Sequence, residues 1–170
     1  MDVYLAVVSK RELRSYDARP IEADAERRIL EAGRVSGSSK NRQARRFVVV
    51  RDPAAVRRVA DAVYAPDNVL GAALVVAIVA GRKGPTSFDA GRAAQNMMLA
   101  ASGDGIGSCP NGVADADGLR EVVGHEQSEQ VATVLTFGYP LVARDPQRYS
   151  AEEWIEKADR KPYEEVVQEI

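Results

Sequence analysis

The chain has 170 residues, the length of one domain, and its 45% apolar and 28% charged residues are typical of an ordinary globular protein rather than of collagen-like or disordered chains. One cysteine and one histidine exclude an internal disulfide, a cysteine-cluster metal site and a multi-histidine zinc site. The net charge of −2 is uneven, because 14 basic and 7 acidic residues lie between Lys10 and Arg58. We therefore expect an anion near this segment, and a compact phosphate ligand suits it better than nucleic acid, since only Tyr16 and Phe47 offer stacking surface there.

No apolar run reaches the ~18 residues of a membrane span, so no membrane partner is expected. The first residues lack a basic stretch followed by an apolar one, which predicts a cytoplasmic location.

Hydrophobic periodicity and turn residues predict helices alternating with three strands, in one α+β or α/β domain over residues 1–170. The pair Asp52-Pro53 is typical of a helix start, and Leu74 to Val79 is apolar on both faces, as in a central strand covered by helices. The three predicted strands are Phe47 to Val50, Leu74 to Val79, and Val131 to Phe137, the last with Val131, Thr133, Leu135 and Phe137 on one face.

The first three predicted helices are one with its apolar stripe at Val3, Ala6, Val7 and Val8, one from Ala23 to Ala32 ended by Gly33, and one after Asp52 with Val56, Val59, Ala60 and Val63 on one face. The later helices are a long one through Asp89 to Ala101, capped by Thr86 or Ser87 and with Ala94, Met97, Met98 and Ala101 inward, one capped by Asp115 and ended by Gly124, and one from Tyr163 to Gln168 after Pro162.

Four short segments carry residues suited to an anionic, flat ligand, although each alone is also typical of a solvated helix end or an ordinary loop. They are the basic segment Lys10-Arg11-Glu12-Leu13-Arg14-Ser15-Tyr16; the turn Gly37-Ser38-Ser39-Lys40-Asn41-Arg42-Gln43; the glycine-rich loop Gly105-Ile106-Gly107-Ser108-Cys109-Pro110-Asn111-Gly112; and the pair of closing segments Gly138-Tyr139-Pro140 and Arg160-Lys161-Pro162.

In their order and spacing, the four segments resemble those of the nitroreductase and flavin reductase family. The resemblance implies an α+β fold with a small mixed sheet flanked by helices, in an intertwined homodimer with two FMN sites at the subunit interface. The cofactor-binding residues that it implies are Lys10, Arg11, Arg160 and Lys161 at the phosphate; Arg14 at the N1 and C2 carbonyl edge of the ring; Ser38, Ser39 and Asn41 against the ring; and the backbone N–H groups of Asn111 and Gly112 at N5 and O4.

The activity that the resemblance implies is hydride transfer from NAD(P)H through flavin N5 to a small acceptor such as a nitroaromatic, quinone or enone. The cofactor carries this chemistry, so no protein nucleophile and no metal are expected. The chain also departs from the family. Glu12 stands where the family has a phosphate-binding serine, Gly37 replaces a proline, Ala44-Arg45 replaces Pro-Trp, and the segment from Gly81 to Ser87 is shorter than the family's insertion. These departures favour, as the alternative, a protein of the same fold that binds flavin, a deazaflavin or another ligand without turnover.

Other classes are less well supported by the residues. A Ser-His-Asp hydrolase would depend on His125, which follows a predicted helix end and is expected to be exposed, and no Gly-x-Ser-x-Gly turn is present. Met97 and Met98 are expected in the core, and Cys109 is expected to be buried and inert.

Overall fold

The computed structural model describes residues 2–170, which form twelve helices and strands in an α+β arrangement. The four strands pair in the order β1-β2-β4-β3, and all three pairings are antiparallel. The elements are α1 (Val3–Ser9), α2 (Ala23–Arg34), β1 (Arg45–Val50), α3 (Pro53–Asp61), α4 (Pro66–Leu70), β2 (Leu74–Gly81), α5 (Thr86–Gly103), β3 (Gly107–Asn111), α6 (Ala116–Val123), β4 (Glu129–Gly138), α7 (Ala151–Glu156) and α8 (Tyr163–Val166), with single 3₁₀ turns at Ser39–Asn41 and Pro146–Arg148.

Strand β2 lies inside the sheet, with helices on both of its faces. Successive side chains of a strand point to opposite faces. Leu74, Val76 and Ile78 accordingly pack against α2 and α5, whereas Val75, Ala77 and Val79 pack against α3, α4 and α6. The predicted central strand is confirmed, and its apolar run follows from burial on both sides.

The start of α3 and both ends of α6 lie where the local sequence predicts, whereas Val63, predicted on one face of α3, lies beyond its last residue, Asp61. The Asp52 carboxylate accepts the N–H of Ala55 at 2.9 Å at the start of α3. Asp115 accepts the N–H of Gly118 at 3.0 Å at the start of α6, which ends at Gly124 in the left-handed conformation with φ of 61°. These ends are confirmed because caps depend on residues adjacent in the chain.

Two helix boundaries were predicted wrongly. Gly33 lies inside α2, where it allows close packing, since an added Cβ would lie 2.7 Å from Met97 Sδ and 2.9 Å from Phe47 Cζ. Helix α5 begins without a side-chain cap, because the Thr86 hydroxyl donates to the carbonyl of Gly81 instead.

The sheet differs from the prediction in strand number, direction and register. It has a fourth strand, β3, whose Gly-Ser-Cys-Pro-Asn sequence has little strand propensity and which forms by pairing with β4. The pairings are antiparallel rather than mixed. A bulge shifts the partner on β4 from Thr133 to Val131 between Ile78 and Val79. Val131 therefore packs on the face opposite to Leu135, contrary to the predicted common face.

The remaining differences lie in short elements. Helix α4 and helix α7 were not predicted; α7 begins at a capping box formed by Ser150 and Glu153, and α8 is shorter than expected. His125 is buried rather than exposed, because the exposure of a residue after a helix depends on what packs over it. Met97, Met98 and Cys109 are buried as expected. None of the helices within residues 2–170 is both long and apolar enough to cross a membrane.

Candidate functional site

The basic segment Lys10 to Tyr16 follows α1 and lies beside β3. The Leu13 N–H donates to the carbonyl of Ser108 at 2.9 Å, and an added Cβ on Gly107 would lie 2.9 Å from Leu13 Cβ. The Tyr16 hydroxyl donates to the carbonyl of Leu13 at 2.7 Å and bonds with the Thr136 hydroxyl at 2.9 Å. Backbone and side-chain contacts thus hold the cations of this segment at the edge of the sheet.

A cavity of about 430 Å³ lies between this segment, the end of α5, the start of β3 and the segment 140–154. Its lining includes two aromatic residues, Tyr149 and Trp154. The polar residues of the lining include Ser9, Lys10, Arg11, Ser108, Arg144, Asp145 and Arg148.

Two hydroxyls in the cavity lining, Ser9 Oγ and Ser108 Oγ, are buried without a hydrogen-bond partner among residues 2–170. Their residues are only 8% and 1% exposed, respectively. Leaving such a group unpaired costs about 1–3 kcal/mol. The lining therefore suits a ligand that brings hydrogen-bonding groups to both hydroxyls.

The cations of the basic segment have different partners. Lys10 Nζ lies 2.7 Å from the Glu12 carboxylate, whereas the Arg11 guanidinium donates to the backbone carbonyls of Val8 and Trp154, both at 2.7 Å. Arg11 also lies over the Trp154 ring, 5.3 Å from its centroid. The cavity lining contains Lys10, Arg11, Arg144 and Arg148 against one carboxylate, Asp145, and such an excess of basic residues favours an anionic ligand.

Arg14 lies beside the only thiol of the chain. Burial raises the pKa of Cys109, the Glu12 carboxylate raises it further, and Arg14 and Lys10 act in the opposite direction. A thiol whose pKa is raised is a poor nucleophile. We therefore assign Cys109 a packing role.

A second depression adjoins the cavity along α5. Its floor is mostly apolar and is lined by Ala90, Ala94, Met98, Pro110 and Thr133, among others. Lys10 lines the cavity, Met98 lines the depression, and Lys10 Nζ lies 3.5 Å from Met98 Sδ. We call the cavity and the depression together the groove; basic residues line its cavity end, and mostly apolar residues line its depression end.

The side chain of Asn111 faces the interior. Its amide donates to the carbonyl of Val134 at 3.0 Å and to the Thr136 hydroxyl at 3.2 Å, and its oxygen accepts from the Asn68 amide at 2.8 Å. This buried network holds the end of β3. Asn111 can therefore serve a ligand only through its backbone, and Gly112 follows it at the surface.

The turn that carries Ser38, Ser39 and Asn41 lies at the other end of α5. The Ser39 N–H donates to the Asp89 carboxylate at 3.0 Å. Asp89 precedes Met98, the residue next to Lys10, by nine residues of α5, or about 13 Å of helix rise. Within one chain, the structure does not bring this turn to the basic segment.

Backbone geometry in this turn is unusual. Lys40, Asn41 and Gln43 have φ of 52°, 54° and 53°, in the left-handed region that non-glycine residues rarely adopt. Such conformations are concentrated at ligand sites and turns.

Arg160 and Lys161 are exposed beyond α7, and Arg160 Nη1 donates to the carbonyl of Ala158 at 2.5 Å in its own segment. The tail arginines that line the cavity are Arg144 and Arg148 instead. Sequence reasoning missed these two arginines, Ser9 and Trp154. Of the missed residues only Ser9 had a signal, its position directly before Lys10.

The fold and the groove together define a small α+β protein with a cavity, lined in part by basic residues, at a sheet edge. The Nitroreductase family profile matches residues 7–80 and 67–139. The chain belongs to the nitroreductase family, which confirms the resemblance that the sequence motifs carried.

The relatives agree with this membership. A protein of Archaeoglobus fulgidus assigned as an NADH dehydrogenase/NAD(P)H nitroreductase is 28% identical over 87% of this chain and 96% of its own. A nitroreductase family protein from Clostridium difficile has the same fold, with a TM-score of 0.83, 21% identity and coverage of 99% and 98% of the two chains. A protein of Desulfovibrio desulfuricans assigned as a nitroreductase, solved in complex with FMN, has a TM-score of 0.81, 25% identity and coverage of 100% and 98%.

Proposed function

We propose that the chain is a cytoplasmic, FMN-dependent oxidoreductase that passes hydride from NAD(P)H to a small acceptor such as a nitroaromatic, quinone or enone. Family membership supports an oxidoreductase of the nitroreductase type. The FMN complex of the Desulfovibrio desulfuricans relative and the NAD(P)H nitroreductase assignment of the Archaeoglobus fulgidus relative support the cofactor and the reductant.

The observation that carries the proposal is the pair of unpartnered buried hydroxyls, Ser9 Oγ and Ser108 Oγ, in a cavity that Lys10 and Arg11 also line. FMN has a ribityl chain of hydroxyls that ends in a phosphate. Hydroxyl and cationic donors match such a tail, and a charge-assisted bond to phosphate is stronger than a neutral one. The two serine hydroxyls therefore fit the ribityl chain, while the partners of Lys10 and Arg11 limit what these cations can give the phosphate.

The apolar depression beside Met98 and Pro110 fits the flat ring of the flavin. Arg14, which lies beside Cys109, would stabilise negative charge at the N1 and C2 carbonyl edge of a ring bound there. Asn111 and Gly112 offer backbone N–H groups to N5 and O4, and the side chain of Asn111 keeps that backbone rigid through its buried hydrogen bonds. Bound flavin would supply the acceptor and donor of hydride, so the chain binds and orients rather than reacts.

A homodimer explains how the predicted FMN-binding residues that lie apart within one chain contact the same cofactor. We propose that Ser38, Ser39 and Asn41 contact the ring in the site of the second subunit, and that Arg160 and Lys161 reach the phosphate after the tail has packed against that subunit. Helix α1 presents exposed apolar side chains, with Val3 at 78% exposure, together with Tyr4 and Val7. An exposed apolar stripe of this kind is typical of a protein contact.

The first test is the visible spectrum of the purified protein, followed by identification of any chromophore released on denaturation. We expect flavin bands, release of FMN, and consumption of NADH or NADPH in the presence of a quinone or nitroaromatic. The variant Arg14→Gln should slow this consumption, and Arg57→Gln, on the exposed surface of α3, serves as the control with the same loss of charge. Bound flavin without consumption of either nucleotide would favour the alternative of binding without turnover. Failure to bind added FMN would contradict the cofactor assignment.

A further inference from the structure

The ion pair between Lys10 and Glu12 involves a residue of the cavity lining, because Lys10 lines the cavity. Lys10 Nζ is 2.7 Å from Glu12 Oε1, and the Lys10 side chain is only 6% exposed. The Glu12 side chain is 39% exposed, so solvent reaches the carboxylate but not the ammonium. This nearly buried cation of the basic segment is therefore already paired with a carboxylate of the same chain.

The neighbouring guanidinium does not replace it as a free donor. Arg11 Nη1 donates to the carbonyls of Val8 and Lys10 at 2.7 and 2.9 Å, and Arg11 Nη2 donates to that of Trp154 at 2.7 Å. These acceptors are neutral carbonyl groups, so they engage the N–H groups of Arg11 without compensating its positive charge. A dianionic phosphate at this end would meet the engaged N–H groups of Arg11, a paired Lys10 and a like-charged carboxylate.

We propose that Glu12 determines the charge selectivity of the cofactor site, because it competes with the ligand phosphate for Lys10. The site consequently distinguishes only weakly between FMN and riboflavin, which share the ring and the ribityl chain but differ in the phosphate. This inference rests on the proposed function, since it concerns the same groove. Like charges a few ångströms apart repel, and this repulsion acts on FMN alone.

The test measures dissociation constants of FMN and riboflavin from the quenching of flavin fluorescence by the cofactor-free protein. Glu12→Gln removes the carboxylate charge and keeps the shape of the side chain. We expect it to tighten FMN binding about tenfold and to change riboflavin binding less than about threefold, since one charge interaction near the surface contributes of this order. Glu121→Gln is the matched control, because Glu121 pairs with Arg58 on the exposed surface of α6 and should change neither constant.

Glu12→Gln leaves a buried ammonium unpaired, so its folding must be checked by thermal unfolding. The double variant K10Q/E12Q leaves neither charge and provides the second test. The inference predicts that its ratio of riboflavin to FMN dissociation constants stays within about threefold of the wild-type ratio, because the pair contributes little net attraction for phosphate. A loss of FMN affinity of about tenfold in the double variant would show that Lys10 grips the phosphate despite Glu12, and would overturn the inference.

The outcomes separate this inference from the proposed function. Equal shifts for the two flavins in Glu12→Gln, or weaker FMN binding, overturn the charge selectivity and leave the flavin site standing. Absence of binding of both flavins to the wild type and to every variant overturns the proposed function, and the inference with it.

Discussion

Replacing Ser108 by alanine should stabilise the ligand-free protein and weaken flavin binding. Ser108 is 1% exposed and its hydroxyl has no partner. Folding therefore removes the hydroxyl from water without a compensating hydrogen bond, at a cost of about 1–3 kcal/mol. The alanine variant avoids this cost and leaves a gap of one atom, so we expect a net gain of about 1 kcal/mol in the free energy of unfolding. For a chain of this size, the gain corresponds to a rise of about 2–4 °C in Tm.

The same variant should bind FMN more weakly than the wild type, because it loses one hydrogen bond to the cofactor. We expect its dissociation constant to rise about twofold to tenfold, the effect of 0.5–1.5 kcal/mol. The assay combines thermal unfolding of cofactor-free protein with a fluorescence titration of FMN. Ser15→Ala, at an exposed position in the basic segment, is the control and should change stability by less than about 0.5 kcal/mol. A lower Tm for cofactor-free Ser108→Ala, or unchanged affinity for FMN, would refute the assignment of this hydroxyl to the ligand.

Three further predictions concern the groups that hold the site. Gly107→Ala places a Cβ 2.9 Å from Leu13 Cβ, so it should lower stability by about 1–3 kcal/mol in urea unfolding and weaken FMN binding. Burial raises the pKa of Tyr16 above its usual value, so the unfolded state loses the phenolic proton at a lower pH than the folded state. The free energy of unfolding should therefore fall as the pH rises through about 10, and it should fall less steeply in Tyr16→Phe. Parallel curves of stability against pH for the two proteins would contradict this account. Asn111→Ala leaves the buried Asn68 amide without its oxygen acceptor at 2.8 Å and should cost about 1–3 kcal/mol, so a neutral substitution would argue against the network.

The elements that the sequence predicts best depend on neighbours in the chain. The start of α3 follows from Asp52 and Pro53, and the end of α6 at Gly124 follows from the freedom of glycine to adopt positive φ. The central strand Leu74–Gly81 is evident because burial on both faces requires an unbroken apolar run. Family membership could likewise be predicted from the sequence, since the order and spacing of short motifs indicate it.

Other features depend on residues that are distant in sequence. Strand β3 exists because Gly107 to Asn111 pairs with β4, although its own residues do not favour a strand. The bulge opposite Ile78 moves Val131 to the other face, and no local pattern marks such an insertion.

The site shows the same division. The cations of the basic segment were predictable, because clustered charge is visible in one segment, whereas Arg144 and Arg148 were not. Three further features of the site could not be predicted from the sequence. They are the partner of each cation, the two hydroxyls left unpaired, and the separation of Ser39 from Lys10 along α5. The sequence alone determined which chemical groups the chain carries and where some elements, such as α3 and α6, begin. Only the tertiary structure decided which groups meet, because burial and pairing depend on contacts between segments far apart in the chain.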